Sequence, residues 1–213
     1  MISLPPLDFS DPYLAHALRV VRERGYVTAH TDCDLTPEEK ATIYYYTHSH
    51  ECANAIKKPI AEAAGVISEP SGLWLRAALN KLPPYNGPVY SAEQWPADTL
   101  LLLHQRQAAG EPLGTLAGVP WPNFMSSSIS RKIAERHLFD NLHRKNCLLT
   151  VLSRAGRYIE ALSRYGSNGQ HGIDNEQEVL FLPNTSFRVV DIRQKTSYSE
   201  IKLIELPNPI RDV

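Results

Sequence analysis

The sharpest chemical feature of the sequence is the run Asn175-Glu176-Gln177-Glu178-Val179-Leu180-Phe181-Leu182-Pro183, where two carboxylates stand two residues apart at the mouth of an apolar segment. Side chains two apart on a strand share a face, so Glu176 and Glu178 are expected to point the same way. Like charges that close repel, and something must compensate them. At an ordinary strand entry solvent does so. At a binding site a guanidinium does so, because its planar fork matches carboxylates and it stays charged at any ordinary pH. The second feature is Phe124-Met125-Ser126-Ser127-Ser128, three hydroxyls ending a predicted strand just before a helix. Helix capping accounts for Ser128 and Ser130. Serines earlier in such a run are placed to bind a sugar hydroxyl or to orient a carboxylate.

These residues need elements to position them. Asp11-Pro12 caps a helix whose Leu14, Leu18 and Val21 share a face, with Gly25 at its end. Thr36-Pro37-Glu38-Glu39 has the capping-box spacing and opens a second helix toward Tyr46, and a third runs from Glu51 to Ala64. Leu73, Trp74, Ala77 and Ala78 repeat helically until Pro83-Pro84 stops the chain. Beyond Pro84 the period changes to two, with strands expected at Pro88 to Ser91, Asn123 to Ser127, Leu148 to Leu152, Val179 to Leu182, Ser186 to Ile192 and Ile201 to Leu206. Helices interrupt them at Pro96 to Gln107 and Ile129 to Phe139, and the last two strands read as a hairpin. Helices first and antiparallel strands later define an α+β fold without βα alternation.

Composition bounds the partners. Lys+Arg 22 against Asp+Glu 23 gives a net charge of −1 in 213 residues, so no summed positive field draws the chain to phosphate backbones or anionic lipid. Neither nucleic acid nor membrane is an expected partner. The longest apolar run falls short of the roughly 20 residues of a membrane span, and Met1-Ile2-Ser3-Leu4-Pro5-Pro6 lacks signal-peptide blocks. Cys33, Cys52 and Cys147 are odd in number and lack CxxC spacing, which points to reduced thiols. His48-Ser49-His50-Glu51-Cys52 matches no common zinc spacing, and no metal is expected. Tyr44-Tyr45-Tyr46, Trp74 and Leu100 to Leu103 read as buried core, Trp95 and Trp121 as rims of a cleft.

In its order of segments the chain resembles the arginine-directed mono-ADP-ribosyltransferases of the toxin type, whose signature is a strand-borne Arg, a Ser-Thr-Ser strand and a Glu-x-Glu loop and strand. Leu35 to Ala41 with Tyr46-Thr47 is similar to their helical lobe, and Leu79 to Tyr85 to the run into their first strand. Phe124 to Ala134 is similar to the serine strand and its helix, Glu176 to Pro183 with Phe187 to Val189 to the Glu-x-Glu strand and the hairpin after it. The resemblance implies a helical layer packed on a two-sheet antiparallel β-sandwich core. Residues 1–34 would be an N-terminal arm or helix, and residues 35–213 the transferase-like domain, with its helical lobe ending near residue 84. It implies that Glu178 bonds the nicotinamide ribose of NAD and stabilises the oxocarbenium-like transition state, and that Glu176 receives the target arginine. Ser126, Ser127 and Ser128, with Ser91 and Ala92 on the first strand, would face NAD, and Gly156 to His171 would form a mobile loop over it. The partner would be an arginine-containing host protein or peptide. The resemblance extends to type III effectors of plant pathogens, which implies a monomer secreted without a cleavable signal into host-cell cytoplasm.

One position departs from the pattern. Where the family ends its first strand with Val-Tyr-Arg-Gly, this chain has Val89-Tyr90-Ser91-Ala92. Serine cannot neutralise a phosphate, and a charge-assisted contact of this kind is worth about 1.5–3 kcal/mol. Arg106, Arg131 and Arg157 are the residues that could supply a substitute. Without one, the cleft is expected to be unusually acidic, repelling a dinucleotide and attracting arginine. Three functions follow: an arginine-recognising relative with NAD binding weakened or lost, which is favoured; an active protein-arginine mono-ADP-ribosyltransferase; and a non-catalytic module acting through another surface.

Overall fold

Chain punctuation sets the first four helices. The Asp11 carboxylate accepts from the amides of Tyr13 and Leu14 at 2.8 and 3.2 Å and begins α1 (Pro12–Arg24). At α2 (Pro37–Tyr46) Thr36 Oγ1 accepts from the Glu39 amide and the Glu39 carboxylate accepts from the Thr36 amide, a complete capping box. Ser49 caps α3 (His50–Glu62) through the Cys52 amide, and α4 (Pro70–Lys81) ends before the two prolines. In the computed structural model, which describes residues 4–24, 34–113, 119–140, 145–167 and 175–207, these helices bury a shared face. Leu14 and Val21 of α1, Ile43 to Tyr46 of α2, Ile56 and Ile60 of α3 and Leu75 and Leu79 of α4 form one cluster, which Phe124, Leu180 and Leu182 join from the sheet. The tyrosine triplet is core, as its spacing predicts.

Seven strands follow: β1 (Pro84–Glu93), β2 (Val119–Trp121), β3 (Met125–Ser128), β4 (Cys147–Tyr158), β5 (Glu178–Phe181), β6 (Thr185–Gln194) and β7 (Ser199–Glu205), with α5 (Ala97–Ala108) and α6 (Arg131–Phe139) between them. Their order is β1-β3-β5-β4-β7-β6-β2, and β1 also pairs with β4. That extra ladder folds the sheet back on itself, so the long β1–β4 pair is shared by the β3–β5 pair on one side and β7–β6–β2 on the other. The two halves enclose a second cluster, with Phe181 and Phe187 edge to face at 5.3 Å. Every pair is antiparallel except β4–β7, which runs parallel.

Four differences from expectation have physical causes. β1 begins at Pro84, because a proline is tolerated as the first residue of a strand. β4 continues to Tyr158, so Gly156 lies in a strand and not in a loop. A Cβ there would meet Val179 Cγ1 and Ser153 Oγ at 2.7 Å. The expected loop over NAD therefore begins after Tyr158, with a 3-10 turn at Glu160–Leu162, and its last residues, 168–171, lie outside the described residues. In α5 only Leu103 of the leucine run is buried, while Leu101 is 58% exposed, as amphipathic periodicity requires of four consecutive residues.

Candidate active site

A cleft of about 580 Å³ opens where α2 and α3 face the ends of β1, β3 and β5, with α6 beside it. Ser126, Ser127 and Ser128 all border it, and strand alternation decides which way each side chain turns. Ser126 lies opposite Leu180 and Ser128 opposite Glu178, on the face turned to the helical lobe, while Ser127 lies opposite Val179 on the sandwich side. Glu178 is 7% exposed and hydrogen-bonded with the Ser126 hydroxyl, which lies 2.9 Å from the Tyr46 hydroxyl of α2. Burial first, and then the charge of Glu176, push the Glu178 carboxyl up to about 7, against the opposing pull of Ser126, Lys57 and His137. Ser127 donates to Val179 O at 2.8 Å and Ser128 to Glu176 O at 2.6 Å. The serines thus brace the acidic segment, and one of them contacts its buried carboxyl.

Glu176 reaches the same cleft by another route than the one periodicity supplies. β5 starts at Glu178, and Gln177 takes φ +48°, so the two glutamates flank a turn and not a strand step. The turn is held by Glu176 N donating to Tyr165 O at 2.8 Å, Gln177 N to Asn175 Oδ1 at 2.9 Å and Ile129 N to Gln177 O at 3.2 Å. The Glu176 carboxylate is accessible at the rim, 3.3 Å from His137 Nε2 and 3.8 Å from Arg136 Nη2, both on α6. On β1, Ser91 is buried, with its hydroxyl 2.9 Å from both Glu93 Oε1 and Ser126 O, and Ala92 packs against Ala134 and Leu138 of α6.

The cleft is acidic as expected, with Glu93, Asp140, Glu176 and Glu178 in its lining, but it is not without cations. Lys57 of α3 and Lys145, just before β4, both line it, and Lys145 Nζ lies 3.7 Å from Glu93 Oε2. Lys57 Nζ lies 5.3 Å from the centre of the Tyr46 ring. Burial weighs against its charge, but Tyr46, Glu93 and Glu178 outweigh burial and hold the ammonium above the ordinary lysine value. None of the three arginines expected as substitutes lines the cleft: Arg131 pairs with Glu135 and Glu200, Arg157 donates to Leu79 O at 2.9 Å, and Arg106 lies on α5. Sequence reasoning missed Tyr46, Lys57, His137 and Lys145. The signal for Lys57 was available, since it flanks the buried Cys52-Ile56-Ile60 face of α3. For Lys145 no local pattern exists. Trp121 lines the cleft as expected, whereas Trp95 packs against the sandwich core.

Fold and cleft together define the class: the chain has the ADP-ribosyltransferase fold. Over 93% of its length it superposes on the type III effector XopAI of Xanthomonas axonopodis pv. citri, covering 73% of that chain with a TM-score of 0.57 at 16% identity. It superposes on the ADP-ribosyltransferase Vis in complex with agmatine with a TM-score of 0.59, 20% identity and coverage of 95% and 88%. In sequence it is 28% identical over 175 residues to Tre1 of Serratia proteamaculans, named an NAD(+)–protein-arginine ADP-ribosyltransferase. It is 29% identical over 132 residues to Vis of Vibrio splendidus, provisionally named an NAD(+)–arginine ADP-ribosyltransferase. These matches bear out the resemblance to arginine-directed mono-ADP-ribosyltransferases. They take in 81% and 60% of this chain but 33% of Tre1 and 46% of Vis, so the chain spans less than half the length of either. No family model matches the chain.

Proposed function

We propose that the chain is an NAD-dependent mono-ADP-ribosyltransferase that modifies arginine on a protein of another cell. One observation carries the reading: a carboxyl buried at the floor of a cleft, on Ser126, with a second carboxylate accessible at the rim two residues away. Glu178 is suited to hold the nicotinamide ribose by its hydroxyls and to oppose the positive charge that develops at C1′ as the C1′–N1 bond breaks and its electron pair leaves with neutral nicotinamide. Glu176, with its rim exposure, is suited to orient a guanidinium so that a nitrogen lone pair forms the new C1′–N bond. The proton released is then taken by Glu176 or solvent. A free guanidinium cannot be deprotonated beforehand, so orientation and charge matching come first. Ser126 serves by fixing Glu178, and Ser128 by fixing the backbone of Glu176.

A second reading, an arginine-recognising protein with weakened NAD binding, is favoured by the uncharged side chain at position 91. Two measurements separate the readings. Nicotinamide release and labelling of agmatine or an arginine peptide are expected in the wild type. Release is expected to vanish in Glu178→Ala, while Glu176→Gln keeps slow release and loses labelling. Calorimetry with NAD showing no binding, alongside arginine-peptide binding that Glu176→Ala abolishes and a lysine peptide cannot reproduce, would replace the first reading with the second. The effector resemblance adds delivery as a monomer into host-cell cytoplasm to this proposal, testable by the appearance of modified arginine in host extracts.

A further inference from the structure

The first strand brings no cation to the cleft, yet the cleft is not without one. Ser91 and Glu93 sit on the same face of β1, and Glu178 faces them from β5 across Ser126. Lys57 comes to these residues from the opposite wall. It lies against the Tyr46 ring, whose hydroxyl meets Ser126, and Glu93 and Glu178 are the carboxylates whose charges it feels. A guanidinium projecting from position 91 would have met the same Glu93 and Glu178. Its ammonium lies 5.3 Å from the centre of the Tyr46 ring, in the wall of the cleft, where an anion entering the cleft can meet it. Lys145 lines the same cleft, its Nζ 3.7 Å from Glu93 Oε2.

We propose that Lys57 is the cleft's dinucleotide-binding cation, and that it meets the diphosphate of NAD from the helical lobe in place of a first-strand arginine. This inference rests on the NAD-dependent reading above. It explains how a chain with serine at position 91 keeps a counter-charge for a doubly anionic linker. It also assigns α3, which carries no part of the serine or Glu-x-Glu segments, a direct role in binding. His137 and Arg136 of α6 face Glu176 at the rim.

The test is calorimetric, on the full chain, with NAD, ADP-ribose and the phosphate-free nicotinamide riboside. Lys57→Met is expected to weaken NAD and ADP-ribose by 10- to 100-fold, the range of one charge-assisted contact, and to leave the riboside unchanged. Lys57→Arg is expected to bind within a few-fold of the wild type, and Ser91→Arg placed on Lys57→Met to recover most of the loss. Equal weakening of the riboside would mean that Lys57 only supports the fold of the cleft, and would overturn the inference. So would NAD binding by Lys57→Met within two-fold of the wild type, which leaves the NAD-dependent reading intact. Wild-type protein that binds neither NAD nor ADP-ribose overturns that reading and this inference with it. Should Lys57→Met melt below the wild type, Lys57→Gln and the Arg rescue carry the same comparison.

Discussion

At Glu178 stability and chemistry pull in opposite directions. Its carboxyl titrates at about 7 in the fold against an ordinary 4.5, because burial and the neighbouring Glu176 both disfavour the charged form. A folded-state value raised in this way contributes stability below the ordinary value, and that contribution is lost as pH rises through 7. Above pH 7 the protein therefore carries an ionised, buried carboxylate at a cost on the order of 3 kcal/mol. Glu178→Gln, which cannot ionise, is expected to unfold at higher urea than the wild type at pH 8 and to lose that advantage by pH 5. Nicotinamide release by the wild type is expected to rise with pH to a plateau above 7, since the ionised form opposes the developing cation. A pH profile flat between 6 and 8 would show that another group sets the rate. Tyr46→Phe removes the hydroxyl that meets Ser126, and with it the ordering of the serine that holds Glu178. Release is expected to fall by about 10-fold, the size of one ordinary hydrogen bond, while the melting temperature changes little.

At the scale of elements, caps made the helical half legible. The Thr36 capping box, Pro12 at the first helical position and the stop at Pro83 each act within a few residues, so the start of α1, both ends of α2 and the end of α4 follow from sequence to within about two residues, while Gly25, expected to close α1, lies outside the described residues. Thr36→Ala tests how much such a local device contributes: the cap should cost about 1 kcal/mol, read as a lower urea midpoint with unchanged slope. It would also loosen Glu39, which is buried against Lys81 at 2.8 Å. What stayed illegible depends on distant partners. β2, three residues long, exists because it pairs with Thr185 to Phe187 of β6. Gly156 falls in a strand because β1 covers it and Val179 packs against it. The site shows the same division. Glu176, Glu178 and the serines stood out through the resemblance of their segments to the family's, and not through spacing alone, which fits a solvated strand entry as well; the turn at Gln177, and not a strand period, is what brings the two carboxylates together. The cations were not readable, because a lysine on a helix gives no sign of which carboxylates another part of the chain will set before it.

For the whole molecule the decisive contact is between the helical lobe and the sheet, since the cleft is the seam between them. The lobe is pinned around that seam: Arg164 N donates to Thr47 Oγ1 at 2.9 Å, Arg164 Nη1 to His48 O at 2.7 Å, Arg157 Nε to Leu79 O at 2.9 Å and Asn184 Nδ2 to Gly65 O at 3.0 Å. The N-terminal residues belong to the same structure. Leu7, Leu14, Ala17 and Val21 lie in the cluster that contains Tyr44 to Tyr46, the Tyr45 hydroxyl donates to Asp11 at 2.9 Å, and Trp74 Nε1 donates to Pro5 O at 2.7 Å. A segment with that much buried apolar surface is a layer of the lobe's core, and the lobe in turn positions Tyr46 and Lys57. Leu14→Ala is therefore expected to cost 2–5 kcal/mol, the range for a leucine truncated in a packed interior, although α1 lies outside the cleft lining. Removing residues 1–34 is expected to uncover Tyr44 and Tyr45 and to lower the urea midpoint further, with loss of ADP-ribose binding at temperatures where the full chain remains folded. A truncated protein as stable as the full chain and binding ADP-ribose equally well would mean that α1 is an appendage, and that α2 and α3 hold the site unaided.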